Sequence, residues 1–453
     1  MIVTGIEIEK LHGKYDYTVR FDNTLTFLYG ENGCGKTTVL NMLVSVVTGK
    51  LYHLADYCFE KIVLSYKKEN NEIAQIIIRI DAEDTMSIIF GEQFFSINNS
   101  KKMKESFYLS MNENEKRMRG NDIDDYFQEA YPLIREIKET FNYVYLPLNR
   151  FDGELHHERY LFSLFRRNAN HLEPSRNTYL NDSLAYVEAL VKRSSETINL
   201  QISKKNDLFR NEILEFSVQT SAERMHEILK SVMEKENEPS WDEMLVSKAD
   251  YIRTLDEIGL SSGPIKKKVE AFFDRFEQTY KKHTEKGNED EIGITLEYTW
   301  QYAEWQKVEK IAALARKYEQ EKVAIKQPIE QFIKVINHFF ENDGINKKID
   351  ITDMGHIVIN SDSGKLKLSD LSSGEKQLMI TFANLIFGLK EKAKGLYIVD
   401  EPEASLHLSW QAKFVDSILQ VNDNVQLIFA THSPEIIGKY RENAVKLVRM
   451  LNI

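Results

Sequence analysis

The stretch Gly30-Glu31-Asn32-Gly33-Cys34-Gly35-Lys36-Thr37 constrains this chain more than any other. It fits the pattern G-x-x-x-x-G-K-[ST] in full. Leu25 to Tyr29 before it read as a short buried strand, and Thr38 to Val47 after it read as the opening of an apolar helix. Strand, glycine-rich turn and helix is the context this pattern needs. Glycines let backbone N–H groups curl around a phosphate with no Cβ in the way, and the helix N-terminus adds partial positive charge. The pattern assigns Asn32, Gly33, Cys34, Gly35, Lys36, Thr37 and Thr38 to a nucleotide's phosphates. Lys36 reaches the β- and γ-phosphates, and the Thr37 hydroxyl holds Mg²⁺.

Chemistry resumes near the other end. Leu396 to Val399 read as a buried strand ending in Asp400-Glu401-Pro402-Glu403. A carboxylate at a strand end, Asp400, suits Mg²⁺; the next, Glu401, suits a general base that polarises water. Val425 to Ala430 read as a second buried strand, ending in Thr431-His432-Ser433-Pro434. His432 there suits a sensor that hydrogen-bonds a γ-phosphate oxygen. Before both, Leu371-Ser372-Ser373-Gly374-Glu375-Lys376-Gln377 leads into the apolar helix Leu378 to Leu389. Alone this is an ordinary helix cap. With the other segments it is a second anion site at a helix N-terminus.

The rest of the chain sorts by pattern. Ile2 to Ile8, Tyr15 to Phe21, Lys61 to Tyr66, Ile73 to Ile80 and Met86 to Phe90 read as strands of an antiparallel sheet. Asn99 to Asp125 read as a loop or a mobile helix. Glu129 to Thr140 read as a helix, followed by the strand Tyr143 to Pro147. Arg150, just past that strand, sits where ligands bind in such sheets. From Asp152 to about Gln327 the chain is charged, helical in period and sparse in proline and glycine. The longest helices expected there are Leu184 to Glu215 and Glu309 to Ile325. Ser261 to Pro264 is the expected turn and Glu285 to Ile292 the expected loop. No strict heptad runs through, so a helical hairpin with a coiled-coil-like stem is expected. Glu154, His156, His157 and Glu158 could suggest a metal, but adjacent histidines point apart on a helix, so a metal site is not expected there. Pro328 is expected to break the helix. Beyond it Ile329, Phe332, Ile333, Ile336, Phe339 and Phe340 form a stripe that docks on the core. Ile349 to Ile351 and His356 to Ile359 then read as short strands, with a turn at Ser361 to Gly364.

The division expected is therefore 1–152 and 328–453 as one α/β head, with 153–327 as a helical insertion. The 453 residues, 42% of them hydrophobic, suffice for both cores. Two cysteines, Cys34 and Cys58, exclude a disulfide framework. No signal peptide pattern opens the chain and no window approaches ~18 apolar residues, so a cytoplasmic protein with no membrane contact is expected. The net charge of −11 disfavours a constitutive binder of nucleic-acid backbone.

In order, these segments resemble the ABC-type P-loop ATPase heads of the RecF, SMC-like and OLD (overcoming lysogenisation defect) group. LSSGE stands where transporters have LSGGQ, and His407 stands where they have aspartate. The resemblance covers residues 1–150 and 328–453. It implies a mixed central sheet plus an antiparallel β subdomain, and ATP and Mg²⁺ as ligands. It also implies head-to-tail homo-oligomers of dimer units, up to a hexamer. Ser372, Ser373, Gly374 and Glu375 would face the phosphate loop of another copy, with Asp400, Glu401 and His432 acting in cis. Gln75 and Asn149 are the candidates for the group's glutamine loop. OLD nucleases carry a TOPRIM domain after the ATPase. About twenty residues follow His432 here, so a separate effector nuclease is expected. By size and layout the chain resembles ATPase subunits of bacterial anti-phage systems, PARIS foremost and Septu next. That implies a sensor and scaffold triggered by a phage-encoded protein. The alternative is a RecF- or SMC-like DNA-repair clamp.

Overall fold

The computed structural model describes residues 1–81, 83, 85–97, 132–147, 176–218, 240–257, 263–284, 291–341, 346–388 and 394–451. The chain divides into two compact units, Met1–Ser194 with Pro328–Ile453, and Ser195–Gln327. The first unit opens with β1 (Ile2–Leu11), β2 (Tyr15–Arg20), β3 (Leu25–Tyr29) and α1 (Lys36–Val47). Then come β4 (Lys61–Lys67), β5 (Ile73–Ile80), β6 (Met86–Phe90), β7 (Gln93–Ile97), α2 (Pro132–Thr140) and β8 (Asn142–Pro147). The chain leaves this unit within α3 (Arg176–Val218), continues through α4 (Trp241–Glu257) and α5 (Gly263–Thr284), and returns within α6 (Glu291–Glu341). It closes with β9 (Lys347–Ile351), β10 (Ile357–Ser361), β11 (Gly364–Leu366), α7 (Ser373–Phe387) and β12 (Gly395–Asp400). Last are α8 (Leu408–Val421), β13 (Val425–Ala430), the single turn α9 (Pro434–Ile437), β14 (Ala444–Lys446) and β15 (Met450–Leu451).

The unbroken apolar runs become a parallel sheet, as strands buried on both faces should. Its order is β14-β3-β13-β12-β8, and every pair in it is parallel. Successive side chains serve opposite faces. Leu28, Leu396, Ile398, Ile428 and Ala430 pack with α1 and the antiparallel strands. Leu25, Phe27, Tyr397, Val399, Leu427 and Phe429 pack with α7, α8 and the end of α6. The α/β head thus has the central sheet and the antiparallel one expected, the central sheet being parallel at every pairing rather than mixed. The antiparallel pairings are gathered in a seven-stranded sheet, β15-β2-β1-β4-β5-β6-β7, and a three-stranded one, β11-β10-β9.

Buried Gln426 pegs the parallel sheet to the antiparallel one. Its amide donates to the carbonyls of Val3 and Asp22 at 2.6 and 2.8 Å and accepts from Val3 N–H at 2.9 Å. A glutamine in a fully buried strand is tolerable because its polar atoms are met. Asn337 does the same at the end of α6, bonding both the N–H and the carbonyl of Ile349.

Two expectations shift. The head extends to Ser194 rather than 152, because Leu184, Val187 and Val191 on α3 are buried in the head core. Pro328 does not break its helix but lies inside α6. A proline removes one N–H and leaves the carbonyl four residues back unpaired. That residue, Ala324, is exposed, so water can serve it, while the stripe Phe332, Ile336, Phe339 and Phe340 is locked into the core downstream. Beyond the strands anticipated, β7 pairs with β6. Asn99 to Asp125, Asn149, Arg150, and Glu154 to Glu158 lie outside the described residues.

The second unit is helical in its described residues apart from Ser240. Lys205 pairs with Glu321 at 2.6 Å, and Phe209 stacks on Tyr318 with ring centroids 4.9 Å apart. Rising numbers on α3 meet falling numbers on α6, so the two run antiparallel. A second cluster, Met244, Phe273, Phe276, Tyr298, Tyr302 and Trp305, joins α4, α5 and α6. Arg316 fastens it by pairing with Asp250 at 2.6 Å and Glu309 at 3.0 Å. Among the described residues no helix is long and apolar enough to cross a membrane.

Candidate nucleotide site

The register of the parallel sheet builds the site. Leu28 pairs with Ala430, Ala430 with Asp400, and Asp400 with Pro147, so four strands finish on one row. Three of the segments picked out by chemistry leave from that row side by side: the glycine loop after β3, Thr431-His432 after β13, and Asp400-Glu401 at the end of β12. This is the carboxyl edge of a parallel sheet, where ligands bind in α/β folds.

The loop itself is shaped by its glycines. Gly33 and Gly35 have φ of +76° and +102°, the left-handed region that side chains resist. A Cβ on Gly35 would lie 2.7 Å from the Tyr17 hydroxyl. That hydroxyl donates to the carbonyl of Cys34 at 3.0 Å, fixing the loop from below. Burial pushes the Tyr17 phenol up, while a hydrogen bond and charge from Arg449 pull it the other way. Arg449 also lies over the ring of Tyr15, 5.0 Å from its centroid. Lys36 is only 6% exposed. Its ammonium turns into the loop and donates to the carbonyls of Gly30 and Glu31 at 3.0 and 3.3 Å. Asn32 is exposed, and Cys34, Thr37 and Thr38 are half-buried at the helix start.

Asp400 is buried, 6% exposed, at the last position of β12. Glu401 has φ of +52°, an uncommon conformation for a non-glycine residue and one that gathers at functional sites. Its N–H donates to the carbonyl of Ala430 at 2.8 Å, tying the acidic turn to β13. His432 is exposed. The next turn is joined to the acidic one by Glu403, whose carboxylate accepts from the Thr431 hydroxyl and the backbone N–H groups of His432 and Ser433.

The Ser372 segment begins α7, on the opposite face of the parallel sheet from α1. Ser372 is the N-cap, and it forms a reciprocal capping box with Glu375. Ser372 and Ser373 are exposed. Glu375 points inward: it is 2% exposed and accepts from Lys347 at 2.8 and 3.0 Å. Gly374 is buried, and a Cβ there would lie 2.5 Å from the Ser405 carbonyl. Gly374→Ala is therefore expected to lose about 1–3 kcal/mol of stability through overpacking, read as a lower urea midpoint. An unchanged midpoint would mean that Ser405 yields.

Sequence reasoning had no signal for several residues now at the site. Glu403 was one acid among several, Tyr17 one aromatic in an alternating strand, and Arg449 comes from the stretch just before the last strand. Gln75, proposed for the glutamine loop, lies in β5 of the antiparallel sheet and donates to Ser65 at 3.2 Å. That strand carries none of the site segments.

A family model described as an AAA ATPase domain matches residues 1–437. This chain belongs to the AAA ATPase domain family. It is similar to the Septu protein PtuA of Bacillus thuringiensis, 30% identical over 97 residues, which are 19% of this chain and 24% of that protein. It is also similar to the probable ATPase of retron Vc95 of Vibrio cholerae, 24% identical over 122 residues, 25% of this chain and 24% of that one. The chain thus spans about a quarter of the length of these curated relatives. Among solved structures it is similar to an Smc head domain with an extended coiled coil from Pyrococcus furiosus. There the TM-score is 0.42 and the identity 12%, over 99% of this chain and 95% of that one. The Smc head domain of Thermotoga maritima gives a TM-score of 0.38 and 10% identity, covering 100% of this chain and 98% of that one.

The residues fit a nucleotide. The loop's shape admits no Cβ at two positions, at Gly30 against Cys34 and at Gly35 against Tyr17. The loop also holds a buried lysine. Thr37 and Asp400 offer a hydroxyl and a carboxylate, the small oxygen set that Mg²⁺ takes beside substrate phosphates.

Proposed function

We propose that this AAA ATPase family member binds and hydrolyses ATP at sites completed by a second copy of the chain, and that this cycle controls a separate effector nuclease in anti-phage defence. The observation that carries the ATPase reading is the single row on which the loop, Glu401 and His432 leave β3, β12 and β13.

Bound ATP would supply the γ-phosphoryl group for transfer to water. Lys36 exchanges the Gly30 and Glu31 carbonyls for β- and γ-phosphate oxygens. Thr37 and Asp400 would hold Mg²⁺. The Glu401 carboxylate takes a proton from the attacking water, and the His432 ring donates a hydrogen bond to a γ-phosphate oxygen. Ser372 and Ser373 present hydroxyls, and the start of α7 its unpaired amides, to the nucleotide of a facing copy. What supports the two-copy reading is the placement of α7 and α1 on opposite faces of the parallel sheet. An isolated copy would hold its loop on one face and its exposed serines on the other. The defence reading is supported by the similarity to the Septu protein PtuA, since Septu is one of the systems whose ATPase subunits the chain resembles in size and layout.

Mixing two inactive variants tests the composite site. Lys36→Ala spoils the loop and Ser372→Arg spoils the facing surface. A mixed pair keeps one intact site, so equal mixing should restore roughly a quarter of wild-type turnover. No recovery at any ratio removes the two-copy reading.

A further inference from the structure

Glu403 lies three residues past Asp400 and reaches across to the neighbouring strand's turn. Its Oε1 accepts the N–H of His432 at 2.6 Å and that of Ser433 at 3.2 Å; its Oε2 accepts the Thr431 hydroxyl at 2.8 Å. The Thr431–Ser433 turn does not need Glu403 for its shape. Thr431 Oγ1 already accepts from Ser433 N–H at 3.0 Å, and Ser433 Oγ caps α9 by accepting from Ile436 N–H at 3.3 Å. The bonds from Glu403 add only position: they fix this turn against the one that carries Glu401.

The acidic turn is itself rigid. Ala404 N–H donates to the Glu401 carbonyl, and Leu406 N–H to that of Glu403, both at 3.0 Å. Gln411 on α8 braces the assembly from behind. Its amide donates to the Leu406 carbonyl at 2.9 Å and accepts from the Ser433 hydroxyl at 2.7 Å. Both oxygens of Glu403 are engaged by these donors, which ties its carboxylate to the Thr431–Ser433 turn.

We propose that Glu403 is a positioning residue: its carboxylate locks the turn after β13 onto the acidic turn after β12, and so sets His432 relative to Glu401. The proposal rests on the ATPase reading above for its consequence in catalysis, but not for the lock itself. A charged acceptor of two amides and a hydroxyl is strong because each bond is charge-assisted. It also acts where small displacements of a catalytic group are costly.

The test is Glu403→Gln, which keeps the shape but offers one oxygen and an NH₂ to three converging donors. In wild type, amide exchange over Thr431–Ser433 should be slow. In the variant it should speed by about tenfold or more, with exchange over β12 unchanged. ATP turnover should fall by roughly 10- to 100-fold at saturation, while KM for ATP stays within about threefold. In a His432→Ala background Glu403→Gln should cost nothing further, because it acts through His432. Unchanged exchange in Glu403→Gln overturns the lock, and losses that multiply with His432→Ala overturn the route through His432. Wild-type protein without turnover would instead sink the ATPase reading, and the exchange measurement would still decide the lock. Should Glu403→Gln not fold, Thr431→Val, which removes one partner, must show smaller changes of the same kind; wild-type exchange there also overturns the lock.

Discussion

Lys36→Ala binds MgATP about 100-fold or more weakly than wild type, which corresponds to roughly 3 kcal/mol. The lost group is the loop's own charge-assisted donor to phosphate oxygens. The variant keeps its fold. The ammonium serves the Gly30 and Glu31 carbonyls and the Cys34 sulfur, and Glu31 is exposed, so water can serve its carbonyl instead. A fluorescent ATP analogue measures the affinity and thermal unfolding checks the fold. Affinity within threefold of wild type would mean that the glycine turn is not a nucleotide loop, whatever its sequence.

Glu401→Gln separates binding from turnover. It keeps nucleotide affinity within a few-fold, because the side chain is not needed to hold phosphate. Its turnover falls by about 10²–10⁴, the usual worth of a general base. The amide is the same size as the carboxylate, so the left-handed backbone at φ +52° is undisturbed. ATP then accumulates unhydrolysed between copies, and light scattering should report a persistent association that wild type shows only briefly. Hydrolysis by the variant within tenfold of wild type removes Glu401 from the role of base. The trapped form is also the bait for partners. Purified with ATP from cells that express its neighbouring genes, it should retain a stoichiometric nuclease-like protein. Co-purifying DNA without protein would favour the clamp reading.

Much of the head could be read from the residues because its strands are buried on both faces. Leu25 to Tyr29 and Val425 to Ala430 are runs that admit few other readings, and the glycine pattern fixes the turn and helix after the first of them. The polar devices that join one segment to another were not legible. Nothing in Asp400-Glu401-Pro402-Glu403 says that the last acid turns toward a residue 28 positions on. Nothing marks Gln426 as the peg between sheets, since a polar residue in such a run reads as an exception. Pro328 misled for a related reason. A local rule about a missing N–H was outweighed by tertiary packing of the aromatic and aliphatic side chains downstream of it. The signature segment was legible as a site but not in detail: Glu375 looked like a ligand and is a buried capping residue paired with Lys347.

The order β14-β3-β13 has a consequence for how the protein is made. The strand that carries the glycine loop has both of its neighbours in the last part of the chain, with Leu25 paired to Leu427 and Phe27 to Ala444. About 400 residues separate these partners. At the ribosome's ~5–20 residues per second, β3 waits roughly 20–80 s for the edges it needs. Closing so distant a pairing is slow by topology, and until then an apolar strand with two open sides is exposed to the cell. The helical unit is complete well before that time and has its own cores. A nascent chain thus carries the whole helical unit before the head can close its parallel sheet.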